Sequence, residues 1–345
     1  MKYKTNSSKL IGGFFELEIP STIGKNSILD LWNVKEDNAY TFQNARSALH
    51  YLLGILKSKR LFVPAYICRE IANLECANTN IIFYSLNSNL SPNVEFLDAN
   101  LKSNDIVLGI DYFGREPDLQ FRNYVANRKD IIWIEDRAHA LSPATHPWGD
   151  WILYSPRKLL GVPDGGILVK KNGVIEPPMY ESLHSFDFIK PALARFEDQK
   201  QQYNEQWYQL YLKCEHSMKI TTKKMSHFSF SILDKLDPFP IIKKRQDNYK
   251  ILHSAFKDIA LLSDEPNTFA PFGFPVRIEN CNTIWPKLCK QGIFAARHWL
   301  NLPSDPFHFV DEHKLSENSM TLPCDHRYDS KDMDHIINTL IPILK

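Results

Sequence analysis

The chain has 345 residues, 43% hydrophobic and 23% charged, with a formal net charge of +1. That make-up belongs to an ordinary globular protein, long enough for one large domain and a smaller one. The balanced charge gives no reason to expect nucleic acid or an acidic membrane surface as partner, and no apolar run approaches the ~18 residues of a membrane span.

The opening MKYKTNSSKL has no apolar core of signal-peptide length. Asn44 to Lys57 (NARSALHYLLGILK) places Ala48, Leu49, Leu52, Leu53 and Leu56 at helical spacing, with Asn44 as N-cap. Leu61–Val63 is a short strand stopped by Pro64, and Ile81–Tyr84, Ile106–Ile110 and Ile131–Ile134 are the next strands. Strands alternating with helices imply an α/β fold: a mostly parallel central sheet sandwiched by helices, with ligands at the strands' carboxyl ends, where Asp111 and Asp136 sit.

Trp151–Tyr154 and Gly166–Val169 are two further strands, with Lys158 on the turn between them. From Glu181 to about Leu236 the chain is polar, aromatic and helical, and the tyrosines and tryptophan of QKQQYNEQWYQLYLKCEH are read as packing and subunit contacts. Residues 237–345 are expected to form a smaller C-terminal α+β domain after a large domain of residues 1–236. It includes the strand-like FGFPVRI and a last helix capped by Ser330, with Asp332 in its first turn. Six scattered cysteines, Cys68, Cys76, Cys214, Cys281, Cys289 and Cys324, contain no C-x-x-C pair. That points to free thiols in a reducing compartment, the cytoplasm, and to no metal site.

The chemistry concentrates between Trp133 and Gly166, in WIEDRAHALSPATHPWGDWILYSPRKLLGVPDGG. An apolar run ends on Glu135 and Asp136, His139 follows, and a second run delivers Ser155, Lys158 and Gly165–Gly166. An acid at a strand's end, then a serine three residues before a lysine, is the arrangement that pyridoxal phosphate (PLP) needs. The lysine forms a Schiff base with the aldehyde, the acid keeps the ring nitrogen protonated, and the serine binds phosphate.

In order and spacing the motifs resemble the DegT–StrS family of PLP-dependent sugar aminotransferases, whose architecture is fold type I. FVPAYIC (Phe62–Cys68) is similar to the family's V-P-x-Y/F-T, DYFG (Asp111–Gly114) to H-x-Y/F-G, and IEDRAHALSP (Ile134–Pro143) to V-I-E-D-A-A-Q-A-L-G. YSPRKLLGVPDGGIL resembles F-S-F-x-x-x-K-N-x-x-x-G-E-G-G-x-L, and KMSHFSFSILDKLD resembles R-M-S-x-x-x-A-A-x-x-x-x-x-L. GIFAARHW and LPCDHRYDSKDMDHII are similar to the closing motifs.

The resemblance implies Lys158 as the catalytic lysine and proton shuttle, Asp136 on the ring nitrogen, and His139 at the cofactor's 3-oxygen in place of the usual glutamine. Ser155 and the backbone amides of Ala45, Arg46 and Ser47 would hold the phosphate at a helix start. Cys68 falls where the family stacks a ring, so Tyr66 or Phe113 is a candidate wall, and Arg297 and His298 are candidate substrate contacts. Thr222, Lys223 and Lys224 stand where the family has asparagine, tyrosine and arginine, groups it contributes across a dimer. The implied activity moves nitrogen, from glutamate, onto the keto group of a nucleotide-linked sugar for polysaccharide or glycoconjugate synthesis, in a homodimer. The deoxygenating branch replaces the lysine by histidine, which Lys158 argues against. A regulatory protein that binds PLP without catalysis is the alternative.

Overall fold

Short, nearly continuous apolar runs build the central sheet. The computed structural model describes residues 9–345 apart from 21–25, 36, 58, 75–78, 143–146, 175–177, 181–185, 199–203 and 264–267. Its strands are β1 Ile11–Gly12, β2 Ala39–Phe42, β3 Arg60–Pro64, β4 Asn80–Tyr84, β5 Ile106–Ile110, β6 Ile132–Asp136, β7 Trp151–Tyr154, β8 Gly166–Lys170, β9 Phe274–Arg277, β10 Ile293–Phe294 and β11 Ser319–Leu322. A seven-stranded sheet has the order β2-β8-β7-β6-β5-β3-β4. The pairs β3–β4, β3–β5, β5–β6 and β6–β7 are parallel, while β8 runs against both its neighbours.

In β5, Ile106, Leu108 and Ile110 join the core that receives Leu49, Leu52 and Leu53 of helix Ala45–Leu56, while Val107 joins Phe121 and Trp133 on the opposite face. Both faces are covered, which is why these strands read as unbroken apolar runs. Pro64 does not stop its strand but closes it, paired with Tyr84. Asn44 caps the helix as expected, its side chain accepting from the Ser47 amide at 2.9 Å.

The smaller unit packs the antiparallel pair β9–β11 against helices Pro238–Phe256, Cys281–Lys290 and Ser330–Leu344 around Phe274, Val276, Leu288, Met333 and Ile336. Helix Pro238–Phe256 starts at its N-cap Asp237, beside the expected division, yet it serves both cores: Ile241 packs in the large one, Tyr249, Leu252 and Phe256 in the small one. Strand β1 pairs with β10 and Ile11 is buried in the small core, so this unit takes residues from both ends of the chain. Glu18 ties the seam by accepting from the Gly161 amide at 2.9 Å and pairing with His326 at 2.9 Å.

The last helix is capped by Asp329, not Ser330. The Asp329 carboxylate accepts from the Lys331 and Asp332 amides, and Asp332 returns a bond to the Asp329 amide. A carboxylate on extended backbone completes this reciprocal box, so the helix starts at Ser330 itself.

Within the polar stretch, helices Ile189–Glu197, Asn204–Ser217 and His227–Lys235 form, although residues 181–185 and 199–203 lie outside the described residues. Trp207 is buried there and donates its indole N–H to Asp198 at 3.0 Å, a packing role. Cys68, Cys214, Cys281, Cys289 and Cys324 are free, while Cys76, Pro143 and residues 1–8 lie outside the described residues. No described helix is long and apolar enough to cross a membrane.

Candidate active site

Strand alternation separates the acidic pair that ends β6. Glu135 is fully buried and its Oε2 accepts from the amides of Trp148 at 2.9 Å and Gly149 at 3.0 Å, so it holds backbone. Asp136 faces the other way. It is 6% exposed, and its Oδ1 accepts from the Ala138 amide at 2.9 Å. Burial raises its pKa above the ordinary carboxylate value, against the opposing pull of the Lys158 ammonium and the Ala138 bond.

The turn between β7 and β8 delivers Lys158. Pro156–Lys158 is a single 3₁₀ turn with Ser155 as its N-cap, closed by the Lys158 amide donating to the Ser155 carbonyl at 3.1 Å. Arg157 leaves this turn outward and forms a bidentate pair with Glu215, at 2.5 and 3.0 Å. Lys158 is half-buried, and its charge registers on Asp136, Cys68, His139 and His298. These five residues form one cluster.

His139 is 2% exposed and stacks on Phe272 with ring centroids 4.3 Å apart and planes 17° apart. Phe113 and Trp299 lie 6.0 and 5.7 Å from the same ring. Burial, then the charge of Lys158 and the nearness of His298, holds His139 neutral, its pKa well below the usual histidine value. Its Nδ1 is buried with no hydrogen-bond partner, an orphan that a bound group can satisfy. His298 lies 5.3 Å from it, bonded through Nδ1 to Thr321 Oγ1 at 3.0 Å, and burial and Lys158 lower its pKa to about 3. Burial raises the Cys68 thiol, opposed by Lys158.

Glycine contacts fix the start of helix Ala45–Leu56. Gly165 donates to the Gln43 carbonyl at 2.8 Å, and Gly166 lies so close to Asn44 and Ala45 that a Cβ would meet their backbone at 2.2–2.4 Å. The start of helix Ala45–Leu56 is thereby pinned to the turn carrying Ser155 and Lys158. The Asn44 cap occupies the Ser47 amide, one of the three amides expected to bind phosphate at this helix start. The Arg46 guanidinium donates to the Met218 carbonyl at 3.2 Å, and Ser47 Oγ accepts from the Thr221 amide at 3.1 Å.

Two expected residues make contacts with the smaller unit. The Tyr66 hydroxyl donates to the His298 carbonyl, and its ring lies 5.4 Å from Trp299, so it joins the strand end to the smaller unit. Arg297 donates to Asn282 Oδ1 at 3.1 Å and to the carbonyls of Ser316 and Glu317 at 3.3 and 2.8 Å, contacts inside that unit, while its buried Nε has no partner. Lys224 lies over the Tyr180 ring at 5.6 Å.

Other contributors carried little or no signal. Phe272 and Trp299 read as ordinary apolar residues. Asp164 of VPDGG accepts from the Ser226 hydroxyl at 2.8 Å and amide at 3.0 Å, and from the Ser229 hydroxyl, docking the K-M-S motif onto the lysine turn. The spacing of both motifs was visible in sequence, but their contact was not.

Comparison with known proteins follows this geometry. The model of the DegT/DnrJ/EryC1/StrS aminotransferase family matches residues 99–341. Among solved structures, the sugar aminotransferase Spr1654 from Streptococcus pneumoniae in its PLP form is similar at 15% identity and TM-score 0.67, covering 96% of this chain and 98% of its own. PseC of Helicobacter pylori, an aminotransferase involved in the biosynthesis of pseudoaminic acid, is similar at 14% identity and TM-score 0.65, covering 97% and 99%. DesI, solved in the presence of its TDP-sugar product, is similar at 16% identity and TM-score 0.65, covering 91% and 81%. At these identities the likeness is one of fold. No curated protein matches the sequence.

Proposed function

Since the chain belongs to the DegT/DnrJ/EryC1/StrS aminotransferase family, we propose that it is a PLP-dependent aminotransferase acting on the keto group of a nucleotide-linked sugar. The observation that carries this reading is the single cluster in which Lys158, the buried Asp136 and the orphaned His139 Nδ1 meet beside a helix start. When bound, PLP supplies an aldehyde that takes up amines and a ring that accepts electrons from the carbon beside the nitrogen.

The residues fit that group. Lys158 would hold the cofactor's aldehyde through its amine and would move a proton at Nζ. Asp136 would keep the ring nitrogen protonated, its burial strengthening the attraction to that charge. The neutral His139 would offer Nδ1 to the ring oxygen. The Ala45 and Arg46 amides and the Ser155 hydroxyl would receive the phosphate. Cys68 and Phe113 would border the ring, and His298 would face the substrate.

We assign the amino donor as glutamate, the assembly as a homodimer, the place as the cytoplasm and the product's use as polysaccharide or glycoconjugate synthesis. Free cysteines support the place, and the exposed apolar side chains of Met179, Tyr208, Phe228 and Phe230 offer a surface for a second subunit. The test is spectroscopic: L-glutamate should bleach the visible band of the PLP-loaded protein, and a panel of keto-sugar nucleotides should restore it with one member. A protein that keeps its band with every amino donor would be a regulatory PLP binder instead.

A further inference from the structure

Beneath the cluster lies a buried ionic triad that the proposed chemistry does not use. Asp111 and Glu135 are 0% exposed and Arg137 is 2% exposed. Arg137 Nε lies 3.3 Å from Asp111 Oδ2 and 3.6 Å from Glu135 Oε1. The Trp148 indole N–H donates to Asp111 Oδ1 at 3.1 Å. Arg137 also donates through Nη2 to the Ser142 carbonyl, while its amide donates to the Leu153 carbonyl at 2.8 Å. One side chain thus joins the ends of β5 and β6 to the turn of residues 137–142, and that turn carries His139. Asp111 stands where the resembling motif has histidine, and Arg137 where it has alanine. Two separate departures therefore meet as one contact.

We propose that Arg137 is a positioning residue: its guanidinium, in ion contact with Asp111 and Glu135 and hydrogen-bonded to the Ser142 carbonyl, fixes the turn that sets Asp136 and His139 against Lys158. Lysine cannot replace it, because a single ammonium cannot hold the Ser142 carbonyl with one nitrogen while a second faces the two carboxylates. The triad holds two carboxyls against one guanidinium, and burial with the nearby Glu135 charge raises the Asp111 pKa far above the ordinary carboxylate value.

The inference rests on the PLP reading of the site, and the experiment separates the two. Full-length wild type, Arg137→Lys and the double variant Arg137→Met/Glu135→Gln are titrated with PLP. Affinity, the induced circular dichroism of the visible band and that band's pH dependence are recorded, alongside the near-ultraviolet dichroism of the folded protein. The double variant removes the guanidinium together with one of its carboxylate partners, so it still reports on the contact if Arg137→Lys fails to fold. Both folded variants should bind PLP at least tenfold more weakly, with a reduced induced signal and a shifted pH profile. If wild type and a folded variant bind PLP with equal affinity and equal induced signal, the positioning role is overturned and the site reading stands. If wild type takes up no PLP, both fall.

Discussion

Replacing Gly166 by alanine tests how the sequence joins the helix start to the lysine turn. The added Cβ would stand 2.2 Å from the Asn44 carbonyl carbon and 2.4 Å from the Ala45 nitrogen, where an unstrained contact needs roughly 3.5 Å or more. Both neighbours are backbone, so relief requires the start of helix Ala45–Leu56 to move by about 1 Å. That motion is opposed by the Gly165 bond to the Gln43 carbonyl at 2.8 Å. Overpacking costs about 1–3 kcal/mol and one lost hydrogen bond about 0.5–1.5 kcal/mol, so Gly166→Ala should destabilise by about 2–4 kcal/mol. The Ala45 and Arg46 amides move with the helix, so PLP affinity should fall at least tenfold in the same variant. Urea unfolding measures the first effect and a PLP absorbance titration the second. Wild-type stability together with wild-type affinity would refute the claim that this contact fixes the helix start.

Asp136→Asn keeps an oxygen for the Ala138 amide but cannot hold the ring-nitrogen proton; the fold should survive while the single-turnover rate with glutamate falls by roughly a hundredfold or more, as stopped-flow absorbance will read. His139 and His298 are held neutral by burial and by Lys158, so their ring signals in NMR of the cofactor-free protein should not titrate between about pH 5.5 and 8; a midpoint near the usual histidine value would contradict the burial of the cluster. Burial alone would raise Asp325, yet the charge and hydrogen bonds of Arg327, then Arg245, hold its pKa below the ordinary 3.8. A depressed folded value contributes stability that is complete above the unfolded value and is lost as pH falls through it toward the folded one. Unfolding free energy should therefore drop below about pH 4, and Asp325→Asn should flatten that acid slope; an unchanged slope would remove Asp325 from the seam's electrostatics.

The sheet was legible because both its faces are covered: β5 and β7 are unbroken apolar runs and β6 opens on one before its two acids, and runs of that kind announce themselves. Strand β2 was not, since AYTF is short and its partner β8 lies far along the chain. The pairing of β1 with β10 was equally hidden, because two residues at opposite ends of the sequence carry no local period. At the site, Asp136 and Lys158 stood out through spacing, and Asn44 through helix-capping chemistry. The roles of Tyr66 and Arg297 did not: whether a hydroxyl or guanidinium faces a cleft or a neighbouring carbonyl depends on packing between distant segments. The same holds for Arg137, which sits in sequence like any charged residue after an acid and in space between two buried ones.

Borohydride reduction of the PLP-loaded protein, followed by proteolysis and mass mapping, tests the assignment of the site most directly. The pyridoxyl group should sit on Lys158, with no labelled peptide from Lys158→Ala. Label on another lysine such as Lys224, or none at all on a protein that has bound PLP, would contradict it.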